Sequence, residues 1–262
     1  MSYTIEDIEL MPSEISELIN KTPNLRNVFF SLRFEIRSNV GLRIVPKIVK
    51  LKIYYSRRSE MLIKILSILR SLVQLKLNLS ADCIDGHQWK QIIRQYHPNL
   101  KILEFIMLYK FSNDINKDHQ IDRLLDTFRS DFWVFECRCF VRCDWNDDQM
   151  IGQISTLPFS FQRFSFSFPC SSKRSSLDEN KQDSYNCVNS LEYRSDASQS
   201  FTLSKIEFNK IRNLSIKFPV DDHFWSIIST FNSVNHLVLI LNNDIKNCRI
   251  QFENLVNEMV DL

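Results

Sequence analysis

The sequence predicts an α/β solenoid, a curved parallel sheet of about nine strands with helices on its convex side. Three observations carry this expectation. One apolar-x-x-apolar-x-apolar pattern returns along the chain at near-constant spacing. Helical periodicity fills several of the intervals. The 262 residues hold only three glycines, Gly41, Gly86 and Gly152, against 20 phenylalanines. That balance supplies a core and excludes the glycine-rich phosphate loops and the G-x-S-x-G elbow, which need close glycines.

The pattern occurs at Leu25/Val28/Phe30, Ile48/Leu51/Ile53, Leu72/Leu75/Leu77 and Leu100/Leu103/Phe105. It returns at Phe161/Phe164/Phe166, Val188/Leu191/Tyr193, Ile211/Leu214/Ile216 and Val234/Leu237/Leu239. Successive starts lie 23, 24, 28, 61, 27, 23 and 23 residues apart, and the long gap leaves room for one hidden unit. Between Trp133 and Trp145 the odd positions are Trp133, Phe135, Cys137, Cys139, Val141, Cys143 and Trp145, while Glu136, Arg138, Arg142 and Asp144 take even ones. Side chains alternate across a strand, so this segment reads as a half-buried strand. Helices are expected over Ser59–Ser71, Asp85–Tyr96, Asp118–Phe128, Asp221–Phe231, Pro12–Ile19 and Ile250–Val260, with Asp85 and Asp221 as N-caps. Strand then helix, with L-x-x-L-x-L on the strand and a period of 20–29 residues, is the signature of the leucine-rich repeat. Each unit buries its leucines only by stacking on a neighbour. The ninth motif position is Asn242 in the last unit and irregular elsewhere. Residues 1–21 read as an N-terminal capping helix segment, 22–245 as the repeats and 246–262 as a C-terminal helix. A polar insertion near 169–186 reads as a mobile loop.

Charge is uneven along the chain. Residues 1–130 hold 20 bases against 14 acids, residues 131–262 hold 13 against 17, and Lys21–Lys76 holds 13 bases against Glu35 and Glu60. No apolar run is long enough for a membrane span. Met1–Glu17 carries five acids and no base, unlike a signal peptide, so a cytoplasmic or nuclear location with seven reduced cysteines is expected.

The repeat pattern resembles that of ribonuclease-inhibitor-like proteins, most closely the F-box/leucine-rich-repeat proteins. Asp85–Lys101, Asp131–Asn146 and Asp221–Asn243 carry the likeness, which covers about residues 22–245. The resemblance implies a ligand-binding repeat array that recruits a substrate to a ubiquitin ligase. Leu10-Met11-Pro12-Ser13-Glu14-Ile15 is similar to the opening of an F-box, but the first repeat at Leu25 leaves the box incomplete. Coupling to a ligase adaptor would have to use this incomplete box.

Residue by residue, enzyme chemistry finds no footing. Cys137, Cys139 and Cys143 have strand spacing and share an apolar face, which reads as core packing more than as zinc ligation. His87 and His223 each precede a tryptophan in a first helical turn. His97, His119 and His236 have no acid or cysteine at ligand spacing. Asp147-Asp148 and Asp221-Asp222 suit turns and caps, because adjacent side chains diverge. Trp89, Trp133 and Trp225 read as core. No cofactor is expected, and no catalytic residue can be placed.

The residues between the motif leucines point away from the core. They are Lys50, Lys52, Tyr54, Gln74, Lys76, Asn78, Glu104, Arg138, Phe140, Arg142, Arg163, Glu192, Arg194, Asn213, Ser215 and Lys217. Concave repeat faces bind partners, and arginine and aromatics are enriched at interfaces. The sequence therefore predicts a non-catalytic protein-binding module. The alternatives are nucleic-acid or acidic-ligand binding through Lys21–Lys76, and a decayed structural repeat protein.

Overall fold

The computed structural model describes residues 2–4, 17, 21–22, 26–32, 48–55, 59–80, 83–112, 116–145, 150–166, 171–176, 185–194, 208–220, 222–227, 231–241, 250–253 and 255–257. In chain order the strands are β1 Ser2–Thr4, β2 Asn27–Leu32, β3 Lys50–Tyr55, β4 Gln74–Leu79, β5 Ile102–Lys110 and β6 Phe140–Trp145. They continue with β7 Ile151–Leu157, β8 Arg163–Phe166, β9 Ser171–Arg174, β10 Ser190–Arg194, β11 Asn213–Lys217 and β12 His236–Ile240. The helices are α1 Ser59–Ile68, α2 Gly86–Tyr96, α3 Lys117–Asp126 and α4 Asp222–Ile227, with one π-helical turn at Phe132–Glu136. The chain divides into two compact units. The first comprises Met1–Cys143, Met150–Thr156 and Arg174–Ser176, and the second comprises Asp144–Gln149, Leu157–Lys173 and Leu177–Leu262.

The strands form two sheets, an eight-stranded one ordered β1-β2-β3-β4-β5-β7-β6-β9 and a four-stranded one ordered β12-β11-β10-β8. This overturns the expected leucine-rich-repeat horseshoe. The larger sheet is mixed, because β7 runs antiparallel to β5, pairing Ile106 with Ser155 and Lys110 with Ile151. A solenoid with one continuous parallel sheet has no place for that reversal.

The reversal follows a local failure of the expected strand at Trp133–Trp145. Phe132 and Trp133 are both buried. A strand would send adjacent side chains to opposite faces, whereas a helical turn turns both inward. The chain accordingly forms the π-helical turn, closed by Cys137 N–H donating to the Phe132 carbonyl at 2.8 Å, and extends only from Phe140. Part of the polar insertion lies among the described residues. It contains β9, and Ser175 exchanges two bonds with Val141, donating its N–H to the Val141 carbonyl and accepting the Val141 N–H on its hydroxyl.

In the first unit β1 to β5 are parallel, and each motif position pairs with its counterpart. Val28, Leu51, Leu75 and Leu103 form one buried row, and Ile53, Leu77 and Phe105 another. A one-residue slip would turn every one of them to the opposite face. Parallel strands need a crossover. α1 supplies it between β3 and β4 and buries Leu62, Ile65 and Leu66; α2 supplies the next and buries Trp89, Ile92 and Ile93. Asp85 caps α2 as expected, within a capping box: its carboxylate accepts the Gln88 N–H at 2.8 Å, and Gln88 Oε1 accepts the Asp85 N–H at 3.1 Å. α3 is capped by Asn116. Buried Gln120 holds the end of β5 through both amide atoms, accepting the Ser112 N–H and donating to its carbonyl, each at 2.9 Å.

An aromatic chain then ties helices to sheet. The Trp89 and Phe105 rings stack with centroids 6.0 Å apart, Phe105 meets Phe128 at 6.0 Å, and Phe128 meets Trp133 at 4.9 Å. Trp133 Nε1–H donates to the Gly86 carbonyl at 3.1 Å, and Gly86 N–H donates to Thr127 Oγ1 at 2.8 Å. A Cβ on Gly86 would collide with the Thr127 carbonyl, so glycine is required here for close approach rather than for an unusual φ.

In the second unit β8, β10, β11 and β12 are parallel and in register, aligning Phe164, Leu191, Leu214 and Leu237. Phe159, Phe164, Tyr185 and Phe208 pack around the β8 end, with centroid distances of 5.2–5.6 Å. Gln251 repeats the amide clasp, binding both backbone groups of Val220 at 2.8 Å. No helix among the described residues is long and apolar enough to cross a membrane.

Gly86→Ala is expected to destabilise the protein by about 1–3 kcal/mol, because the added methyl meets backbone and Thr127 must shift. A urea midpoint unchanged from wild type would show that the approach is looser than the geometry implies.

Candidate interaction surfaces

Side chains that alternate with the buried rows place a polar face on β3, β4 and β5. Lys50 pairs with Gln74, Lys52 with Lys76, Lys76 with Glu104, and Tyr54 with Asn78. Lys50 is exposed, and the other six are half-buried. Two like charges opposite one another across a parallel pair repel. Glu104 offsets one of them: its Oε2 lies 3.4 Å from Lys76 Nζ, with the side chains 18% and 22% exposed. Lys52 Nζ sits 5.3 Å from the centre of the Tyr54 ring. The face thus carries a row of two cations and one anion.

The rest of the expected surface does not join this row. Arg138 is exposed but lies in the bend after the π-helical turn, with φ of 50°. Phe140 begins β6 and is half-buried. Arg142, an expected partner-binding residue, is 0% exposed and presents no surface to a partner. The reason is the place of β6 in the sheet order, between β7 and β9, with both of its faces covered. Arg163 and Arg194 are exposed in the second unit, and Arg194 is ion-paired with half-buried Glu192. Asn213 is exposed there, and Ser215 and Lys217 are half-buried.

The described groups among those considered for metal or nucleophilic chemistry lie in the core or at the surface. Among the described residues no group of three His, Cys, Asp or Glu side chains stands in position to hold a metal ion. Burial pushes the Cys139 thiol up, with Cys137 and Glu104 adding to the effect. Burial, then Glu136, raises Cys137 to about 11; burial, then Asp85, raises Cys83 to about 12. These thiols hold their protons at neutral pH, which opposes both ligation and attack. Cys143 is buried. Asp147, Asp148 and Asp221 fall outside the described residues, as do the side chains of Asp222 and His223. His87, His119 and His236 are exposed. Trp89 and Trp133 are fully buried, and half-buried Trp225 packs on Phe224 and Phe231.

Two residues differ most from the sequence reading. His97 is fully buried at the C-cap of α2, against the Leu69 carbonyl. Burial lowers its pKa to about 4, and the carbonyl opposes this only in part. Phe135, expected inside a strand, is 71% exposed on the π-helical turn. The adjacent pair Phe132-Trp133 was the signal available in the sequence, since two neighbouring large aromatics cannot both face one side of a strand.

Comparison with protein-family models, with curated proteins and with solved structures finds no match to this chain.

The His97 shift sets a pH dependence. The unfolded imidazole titrates at 6.5 and the folded one at about 4, so the unfolded chain binds the extra proton within that window. The contribution is complete above pH 6.5 and is lost as pH falls towards about 4. At about 1.4 kcal/mol per unit, the loss is of the order of 3 kcal/mol. His97→Leu is expected to flatten the acid limb of urea midpoint against pH, and an unchanged limb would assign it to other groups. In mass-mapped alkylation at neutral pH, exposed Cys187 is expected to label about tenfold faster than Cys83 or Cys139. Preferential labelling of Cys139 would contradict its burial.

Proposed function

We propose that the first unit is a non-catalytic protein-binding module and that the polar face of β3, β4 and β5 receives the partner. The observation that carries this reading is the cross-strand row Lys52, Lys76 and Glu104, with Tyr54 and Asn78 in the adjoining row. Lys52 and Lys76 stand side by side in this row, with Glu104 beside Lys76. An acidic protein surface would complement exposed Lys50 and the two lysines of the row. The ligase-linked role implied by the family resemblance draws on Leu10–Ile15, outside the described residues, and adds nothing to this choice of surface.

The test is a quantitative pull-down from extract of the source cells, comparing wild type with Lys50→Glu/Lys52→Glu after circular dichroism confirms equal folding. Recovery of the main partner is expected to fall about tenfold or more. Equal recovery, or binding of duplex or single-stranded nucleic acid with a steep salt dependence, would overturn the proposal.

A further inference from the structure

Strand β12 lies at one edge of the four-stranded sheet, and among the described residues it pairs with β11 alone. Its composition departs from that of the strands it aligns with. On the face away from the core, the registers Glu192, Ser215, Val238 and Arg194, Lys217, Ile240 run polar until β12 and there turn apolar. On the core face Leu191 and Leu214 are buried, while aligned Leu237 is only half-buried, and Leu239 stands in the same relation to buried Ile216. Apolar side chains on both faces mark a strand inside a sheet rather than at its edge. Charge, the usual guard of an open edge, is missing as well, since residues 223–243 include no Asp, Glu, Lys or Arg. Six of the nine exposed large apolar side chains among the described residues fall in residues 238–256, so apolar exposure gathers at this end of the second unit. The backbone shows which groups are open. His236 N–H donates to the Arg212 carbonyl at 3.0 Å, and the Ile240 carbonyl accepts the Phe218 N–H at 2.9 Å, so both residues turn their backbone groups to β11. Alternation turns those of Leu237 and Leu239 the other way, off the edge of the sheet. A ladder of this kind is completed by another extended strand.

We propose that β12 pairs with β12 of a second copy of this chain, antiparallel and about a two-fold axis at Leu239. Leu239 then faces Leu239 of the second copy, Leu237 faces Leu241, and Val238 faces Ile240, so every side chain of residues 237–241 meets an apolar one. The hydrogen-bond phase agrees with this register. Leu239 turns its backbone groups outward in both copies, and the two residues exchange both of their bonds. The axis also keeps faces together, so the half-buried row of Leu237 and Leu239 continues into the same row of the second copy and gains the cover it lacks at the edge. The absence of charge selects the occupant. Two copies meet here without like-charge repulsion, whereas a strand of another protein finds no charge to read. A two-fold interface of this kind uses the edge up and stops at two copies. It lies in the second unit and does not rest on the sheet face of the first.

Sedimentation velocity of the full chain, in reductant so that exposed Cys187 stays a thiol, is expected to show a dimer that dissociates on dilution. Val238→Lys and, separately, Leu241→Lys are expected to raise its dissociation constant about tenfold or more, because each sets a lysine into the paired segment of both copies. The two side chains are 40% and 64% exposed, so both variants are expected to melt with wild type. If Val238→Lys melts lower, the more exposed Leu241→Lys decides. Hydrogen exchange is expected to protect the Leu237 and Leu239 amides more at high protein concentration than at low. A chain that stays monomeric up to about 100 µM, where association of micromolar strength is largely complete, overturns the proposal and leaves the edge to a strand of another protein. So does a dimer that Leu241→Lys leaves intact, a dimer without the added amide protection, or assembly that grows past two copies.

Discussion

Everything in the first unit depends on the register of its parallel strands. Parallel pairing sets Val28 beside Leu51, Leu51 beside Leu75 and Leu75 beside Leu103. Burial of one row obliges the residues between to face the other way, so the polar face is a consequence of the core rather than an independent feature. The same constraint makes α1 and α2 necessary. A parallel strand cannot be reached by a tight turn, and the crossover that reaches it buries its own apolar stripe on the rows beneath.

A second constraint ends that regularity. Gly86 must approach the Thr127 carbonyl, and Trp133 must reach the Gly86 carbonyl. Both contacts draw the segment after α3 against the start of α2. Phe132 and Trp133 therefore turn inward together, the backbone closes a π-helical turn, and Phe135 is left outside. β5 is completed instead by antiparallel β7, where the Thr156 hydroxyl accepts the Phe105 N–H at 3.1 Å. Phe135, which alternation had assigned to the core, is exposed, and Arg142, an expected contact residue, is buried on β6.

The sheet face and the π-helical turn differ in physical character. The face of β3 to β5 is polar, partly self-paired and regular. The turn at Phe135 is apolar at its tip, irregular in its backbone and braced from beneath. The raised thiols of Cys83, Cys137 and Cys139 and the neutral imidazole of His97 agree with a core that keeps its titratable groups inert.

Much of this architecture was legible as pattern. The apolar triplets name the buried rows, the α2 cap is readable in Asp85 and Gln88, and Lys50, Lys52, Lys76 and Glu104 follow from alternation. These are short-range rules, in which a period of two or a cap geometry depends only on neighbours in the chain. The triplets could not show that the strands divide between two sheets, or that β7 reverses, because strand direction and order depend on contacts between distant segments. The alternation from Trp133 to Trp145 misled for the same reason, since Trp133 answers to Gly86, 47 residues away, rather than to its own neighbours. The sequence by itself determined which residues are apolar, which rows they form and which charges lie between them. Only the tertiary structure decided which strands share a sheet, why one of three glycines is indispensable, and which aromatic is left in water, because each of those outcomes is set by close approach between parts of the chain that no local period connects.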